Sequence, residues 1–356
     1  MSDTNIQKVS NKEAMWFMVS LIVSKILFSD ITKLVSHSGN GAYFQALWCG
    51  LIALVIFLVS SKLSNNTSLF DASLDVLGNV GLRILGAVLT ILFLLNTGVM
   101  LRVYSDIIRS IILPEASGFL VMLFLVVTTI VTAFAGIGTL TAYSYGAGII
   151  LVASLIVILA LNIPNYDITN AYTLFGKGGR QILSGINGLT PYADIFLLFL
   201  MTPFLKNKED AKRSGVRTII ISSLIIGVTT FLYILTIPDY ASSHFTLPVL
   251  EIAFDVNLDI IFQRAEGLFL FMWILSGFLS IGAYICFAVW SFEKSFKLSD
   301  RRGVIGLFVF IASCIALMLE SISGQKQLYE ALYNVFTIAA FTLPVFIFGI
   351  RKIKRR

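Results

Sequence analysis

SGINGLTPYADIFLLFLMTPFL, residues 184–205, has the length and apolarity of a membrane helix but cannot wind as one regular helix. Pro191 has no N–H to give, and its ring drives Thr190 out of the α region. Gly185 and Gly188 loosen the turns before it. Asp194 follows the proline within one turn. An acid at membrane depth is costly unless it faces the protein interior or a water-filled cavity. The stretch therefore predicts an interrupted transmembrane helix with a carboxylate at the interruption.

The rest of the chain is built for the same solvent. Of 356 residues, 57% are hydrophobic and 13% charged, about half the charge share of a soluble domain. Mean hydropathy is +0.89. Ten apolar stretches lie at 13–36, 42–62, 82–104, 118–136, 138–161, 182–205, 217–237, 264–291, 303–320 and 329–350. Each is near the ~20 residues that cross the hydrocarbon core as a helix. The prediction is an all-α polytopic membrane protein of ten transmembrane helices. No linker divides it, so residues 1–356 read as one transporter-like unit in the lipid bilayer. Net charge is +6, but no soluble domain remains to carry a basic face, so no nucleic-acid partner is expected.

The cations sort by gap. Counted from the N-terminus, alternate hydrophilic gaps hold 18 of the 26 Lys and Arg, and the other gaps hold seven. Basic residues concentrate in cytoplasmic loops, so both termini are expected in the cytoplasm. The remaining cation, Lys25, lies inside the first span, SLIVSKILFSDITKL (20–34). A charge at a helix centre costs about 2.5–3.5 kcal/mol on insertion scales. One reading has Lys25 paired with an acid such as Asp194 for folding alone, or snorkelling to an interface. The other places it at a ligand or ion site in a broken first helix, with Ser24 and Ser29 beside it.

The first and sixth helices correspond if the chain is two five-helix halves, 13–161 and 182–350. Interrupted helices at corresponding positions of inverted repeats point to a binding site near the bilayer midplane. Asn96, Thr97 and Tyr104 interrupt the third span. Trp273, Gly277, Ser280 and Tyr284 share one face of the eighth, although small and hydroxyl residues also serve helix packing. Asn334 and Thr337 offer a little polarity in the tenth. The candidate ligand-binding set is Ser24, Lys25, Asn96, Thr97, Gly188, Thr190, Tyr192, Asp194, Trp273 and Ser280.

Other features argue against catalysis. Cys49, Cys286 and Cys314 each sit in an apolar stretch, without metal-ligand spacing or an extracellular pair. His37 and His244 fall in expected outside loops. Gly176, Gly178 and Gly179 follow no strand, so they open no nucleotide-binding unit. No enzyme, metal or cofactor is expected. The first apolar stretch is too long for a signal-peptide core and is expected to be retained. Thr67–Leu82 has Leu69, Phe70, Leu74 and Leu77 at helical spacing, which suits an interfacial amphipathic helix or an ordinary connecting helix. The longer outside loops, Asn162–Gln181 and Pro238–Gln263, suit a gate, a docking surface or a passive cover.

Three stretches carry a family resemblance: LFDASLDVLGNVGLRILGAVL (69–89), LNIPNYDITNAYTLFGKGGRQILSGINGLTPYADIFLLFLMTPFL (161–205) and LPVLEIAFDVNLDIIFQRAEGLFLFMWILSGFLSIGAYICFAVWSF (247–292). In this order they resemble the B subunits of spore germinant receptors (GerAB-like), within the amino acid/polyamine/organocation transporter superfamily. The resemblance implies ten helices in two inverted five-helix repeats, with a small germinant, often an amino acid, bound between broken helices one and six. It implies an A-type membrane subunit and a C-type lipoprotein as partners, in the inner membrane of a bacterial endospore, and triggering of germination rather than bulk uptake. The alternative is a proton- or ion-coupled secondary transporter of amino acids or amines.

The chain departs from that pattern twice. Val23-Ser24-Lys25 stands where the family has a Gly-Thr-Gly-like break. The fifth helix begins GIGTLTAYSYGAG (136–148), without the family's acidic and arginine residues. Lys25 is then a fixed charge, in the place of a coupling cation or facing a ligand carboxylate. Asp194 is its partner or a proton acceptor.

Overall fold

The computed structural model describes residues 8–27, 30–207, 209–237, 247–254, 265–298, 300–319 and 322–354. Ser29, His244 and most of the Pro238–Gln263 loop lie outside the described residues. Among those described, every named element is helical, and the isolated β-bridge joins Val9 to Leu205.

The first half comprises α1 (Asn11–Ile26), α2 (Asp30–Ser38), α3 (Ala42–Ser64), α4 (Leu69–Ile107) and α5 (Gly118–Leu161). The sixth stretch is α6 (Gly179–Ser184), a 3-10 helix (Ile186–Phe196) and α7 (Leu197–Met201). There follow α8 (Asp210–Thr236), α9 (Pro248–Phe254), α10 (Ala265–Phe296), α11 (Arg302–Met318) and α12 (Ile322–Lys354). A capping box starts α1: the Glu13 backbone N–H donates to Ser10 Oγ, and Glu13 Oε2 accepts from the Ser10 N–H at 2.7 Å.

Seven helical segments among the described residues are long and apolar enough to cross a bilayer. The sequence reading expects ten. The difference lies in Asn11–Ile26 and Arg302–Met318, of 16 and 17 residues, and in α5. At 44 residues, a straight α5 would run about 66 Å, twice the hydrocarbon thickness. It does not run straight, because Gly136 breaks it with φ 82° and ψ 174°. Only glycine enters that region without strain.

The two interrupted helices run in opposite directions. The start of the first meets the end of the sixth, where the Val9 N–H donates to Phe204 O at 2.8 Å and the Lys206 N–H donates to Val9 O at 2.9 Å. Midway, Lys25 meets Asp194. Further on, Leu34 lies against Gly188. Around this pair, α10 packs on α4 and α5, α3 packs on α8, and α1 packs on both α5 and α8. Apolar side chains such as Phe119, Val131, Ile156, Phe310 and Ile338 are exposed, as a surface solvated by lipid tails allows.

The structure corrects two local expectations and makes a third more definite. The break in the first helix falls after Lys25, so Lys25 sits in the last turn of α1. The stretch Thr67–Leu82, expected as an interfacial amphipathic helix or a connecting helix, is helical from Leu69 as the start of α4 and is set off by Gly78 with φ 69°. Its apolar residues divide, with Leu69 and Phe70 buried and Leu74 and Leu77 exposed. His37 lies in the last turn of α2 instead of in a loop.

The loop 162–178 is tied down. The Lys177 N–H donates to Ser38 O at 3.1 Å, Lys177 Nζ to Ser36 O at 2.6 Å, and Asn40 Nδ2 to Asn170 O at 2.8 Å. These bonds hold the loop over the turn between α2 and α3.

Candidate functional site

Each broken helix contributes one charge to a shared point. Lys25 lies in the last turn of α1, where the partial negative charge of a helix C-terminus favours a cation. Pro191 and its neighbours hold the sixth stretch in 3-10 winding over 11 residues. Such runs seldom exceed three or four residues, and a mid-helix stretch of this kind often marks a hinge. Asp194 projects from it.

Lys25 Nζ is 3.0 Å from Asp194 Oδ2, and both side chains are 1% exposed. A buried pair is tolerable only when its remaining hydrogen-bonding capacity is met. Tyr284 Oη donates to Asp194 Oδ1 at 2.8 Å, so both carboxylate oxygens are engaged. Lys25 Nζ also donates to the Thr190 carbonyl at 3.4 Å. It stands 4.8 Å from the Tyr333 ring centre and 6.0 Å from that of Phe336, within range for cation–π attraction. Ser24 and Ser280 share a 3.0 Å hydrogen bond that joins α1 to α10.

Beside this cluster is a cavity of about 10 Å³ lined by Ser24, Lys25, Met100, Val103, Tyr104 and Tyr329. That holds about one water. The side chains of the site leave little space between them. Toward Leu34, a second small cavity is lined by Asp30, Lys33, Leu34, Asn187, Gly188 and Pro191. There Lys33 lies 3.6 Å from Asp30 and 3.9 Å from Glu330.

Ser24, Lys25, Thr190, Asp194 and Ser280 thus come together, Thr190 through its backbone carbonyl. Trp273 adjoins the site by stacking on Tyr104 at 4.3 Å. The other candidates face elsewhere. Tyr192 Oη donates to Ala46 O on α3 at 3.1 Å. Gly188 faces Cys49 and Leu34. Asn96 and Thr97 are buried, but donate to Leu92 O and Phe93 O of their own helix at 2.8 Å. One and two turns further along α4, Met100, Val103 and Tyr104 line the cavity instead.

The last helix supplies what a search for polar residues misses. Asn334 is exposed, and Thr337 donates to Tyr333 O at 2.6 Å. Tyr329, Tyr333 and Phe336 recur at i, i+4 and i+7, and all three are buried. That aromatic stripe is the signal in the sequence. Tyr284 stands on the face already marked by Trp273 and Ser280, one turn beyond Ser280.

Known proteins resemble this chain along most of its length. The family described as Spore germination protein (Spore_permease) matches residues 8–325. Spore germination protein KB of Bacillus subtilis (strain 168) is 21% identical over 355 residues, covering 95% of this chain and 94% of that protein. Spore germination protein A2 of the same organism is 26% identical over 212 residues, covering 57% of this chain and 55% of A2, so the chain aligns along about half of A2. Among solved structures, Mhp1, a nucleobase-cation-symport-1 family transporter in a closed conformation with bromovinylhydantoin bound, superposes with a TM-score of 0.58. The match covers 92% of this chain and 77% of Mhp1 at 12% identity, a likeness of fold.

Proposed function

The chain belongs to the spore germination protein family, and from that premise we propose that it is the ligand-binding membrane subunit of a spore germinant receptor. A small germinant enters between the broken first and sixth helices and shifts a two-state equilibrium that partner subunits read. The ten crossings form two inverted halves, 13–161 and 182–350, with both termini in the cytoplasm. The partners are an A-type membrane subunit and a C-type lipoprotein in the spore inner membrane. The working site is Ser24, Lys25, Thr190, Asp194, Ser280 and the Trp273–Tyr104 wall.

One observation carries the preference for sensing over ion-coupled transport. The cation at the centre of the fold is Lys25, 3.0 Å from Asp194 and bonded to the chain. A coupling metal ion must enter and leave in each cycle, and a lysine side chain cannot be released; the observation therefore weighs against ion-coupled uptake, and proton coupling through the Lys25 ammonium is left to the flux measurement below.

The likeness to a transporter keeps the second reading, coupled uptake of amino acids or amines. Reconstitution in liposomes separates the two. Saturable binding without flux, together with a response that needs the co-expressed subunits, is the expected result. Concentrative uptake by the purified chain alone would replace the receptor reading with the transporter one.

A further inference from the structure

We propose that Asp194, Tyr333 and Phe336 form an ammonium-binding site that Lys25 fills from within, so that the external ligand is one bringing no ammonium of its own. The consequence for the ligand rests on the receptor reading above; the ammonium site itself does not.

The Lys25 surroundings are what a free alkylammonium requires. Asp194 supplies the countercharge at 3.0 Å, and Tyr284 holds the other carboxylate oxygen in place at 2.8 Å. The Thr190 carbonyl accepts at 3.4 Å. The Tyr333 and Phe336 rings stand 4.8 and 6.0 Å from the nitrogen. A carboxylate, a carbonyl and aromatic faces around one nitrogen make an aromatic cage of the kind that recognises ammonium ligands. Simple ion pairing for folding would need the carboxylate alone.

The cage is occupied. Lys25 is 1% exposed on its side chain, so its own nitrogen fills the place between Asp194 and the two rings. An amino acid entering this state would bring a cation to a position already holding one, at close range in a poorly screened interior. The remaining lining of Met100, Val103, Tyr104 and Tyr329 is largely apolar. The complementary ligand is therefore a small neutral or carboxylate-bearing molecule with an apolar or aromatic body. Lys25 is then the residue that sets specificity.

Lys25→Ala removes three methylenes and the ammonium, the atoms of n-propylammonium. The test is thermal unfolding of the purified full chain with n-propylammonium chloride or its neutral analogue 1-propanol. The expected result is a saturable rise in the Tm of Lys25→Ala with n-propylammonium, half-saturating at a concentration at least tenfold below that of 1-propanol. The wild type should show no such rise, and Lys25→Ala with Asp194→Asn should lose the preference for the amine. Equal responses to amine and alcohol, or an equal rise in the wild type, would overturn the site.

If Lys25→Ala does not fold alone, expression and purification with n-propylammonium throughout answers the question by yield. Recovery with the amine and not the alcohol supports the proposal, and no recovery overturns it. A wild type that transports its ligand would sink the receptor reading and leave the amine result standing. A variant blind to the amine would do the reverse.

Discussion

Tyr284 donates a 2.8 Å hydrogen bond to the carboxylate oxygen of Asp194 that Lys25 does not hold. The bond crosses from α10 to the 3-10 turn of the sixth stretch, so it fixes the rotamer that faces Lys25. Tyr284→Phe keeps the ring and its 6.1 Å stacking on Phe93, but leaves a buried charged oxygen short of a donor. The expected cost is about 1–3 kcal/mol, read as a lower melting temperature of the purified chain. No change in Tm would show that another donor replaces Tyr284.

Removing one charge of the central pair should cost more than removing both. Lys25→Met leaves Asp194 buried without its partner, a change expected to destabilise by about 3–5 kcal/mol. Lys25→Met combined with Asp194→Leu replaces the pair by apolar volume and should recover most of that loss. A double-mutant cycle in stability measures the coupling. Additive losses would mean that the two groups do not act as a pair. On the receptor reading, Lys25→Met also abolishes or retunes the ligand response in an assembled complex, and an unaltered response would remove Lys25 from the site.

The large features of the fold and the meeting of charges at the candidate site are legible in the sequence because single residues announce them. Pro191 breaks the sixth helix wherever it lies, and a lysine or aspartate in an apolar run must find a partner. Hence Lys25, Asp194 and the paired interruption are readable. The walls are less so. Asn96 and Thr97 satisfy their own helix, a choice that composition does not reveal. Tyr333 and Phe336 act through ring faces, and in a chain with 29 phenylalanines and 12 tyrosines an aromatic residue stands out little. The end of α1 at Ile26 was also hidden, since no glycine or proline marks it.

Glycines at helix crossings should divide by what lies opposite them. A Cβ on Gly98 would sit 2.7 Å from Ile315 Cβ and 2.8 Å from the Ala312 carbonyl oxygen, so α4 and α11 would have to separate. Gly98→Ala is expected to destabilise by about 1–3 kcal/mol, as overpacking does. Gly146 has nothing within 4 Å of its added Cβ, and Gly146→Ala should be neutral or stabilising by up to ~1 kcal/mol through helix propensity. Melting the two variants in parallel checks the contrast, and equal effects would contradict the close crossing.

Gly78 tests conformation without packing. Its φ of 69° lies in the left-handed region, and an added Cβ meets nothing within 4 Å. Its ψ of −170° puts it in a region that essentially glycine alone occupies, so any loss in Gly78→Ala is backbone strain, about 1–3 kcal/mol. Gly136 has φ 82° and faces the Arg301 guanidinium at 3.1 Å from an added Cβ, so Gly136→Ala should lose at least as much. The measurement is chemical unfolding of both variants. A fully stable Gly136→Ala would mean that α5 does not break there.

A buried guanidinium helps anchor the end of α12. Arg351 is 8% exposed. Its Nε donates to Asp75 Oδ2 at 2.9 Å, and its Nη1 donates to Thr67 Oγ1 at 2.6 Å and Ser64 O at 3.4 Å. These bonds hold α12 against the connection between α3 and α4. Asp75 is 41% exposed on its side chain, so water screens that pair and replaces it readily; Asp75→Ala should cost no more than about 1 kcal/mol. The donors to Ser64 and Thr67 are sheltered, and Arg351→Ala should cost about 1.5–3 kcal/mol, the range for charged hydrogen bonds. Arg351→Lys should recover less than half of that loss, because an ammonium cannot span three acceptors with the fixed fork of a guanidinium. Thermal unfolding ranks the three variants. Asp75→Ala as costly as Arg351→Ala would assign the anchor to the ion pair instead of the sheltered donors.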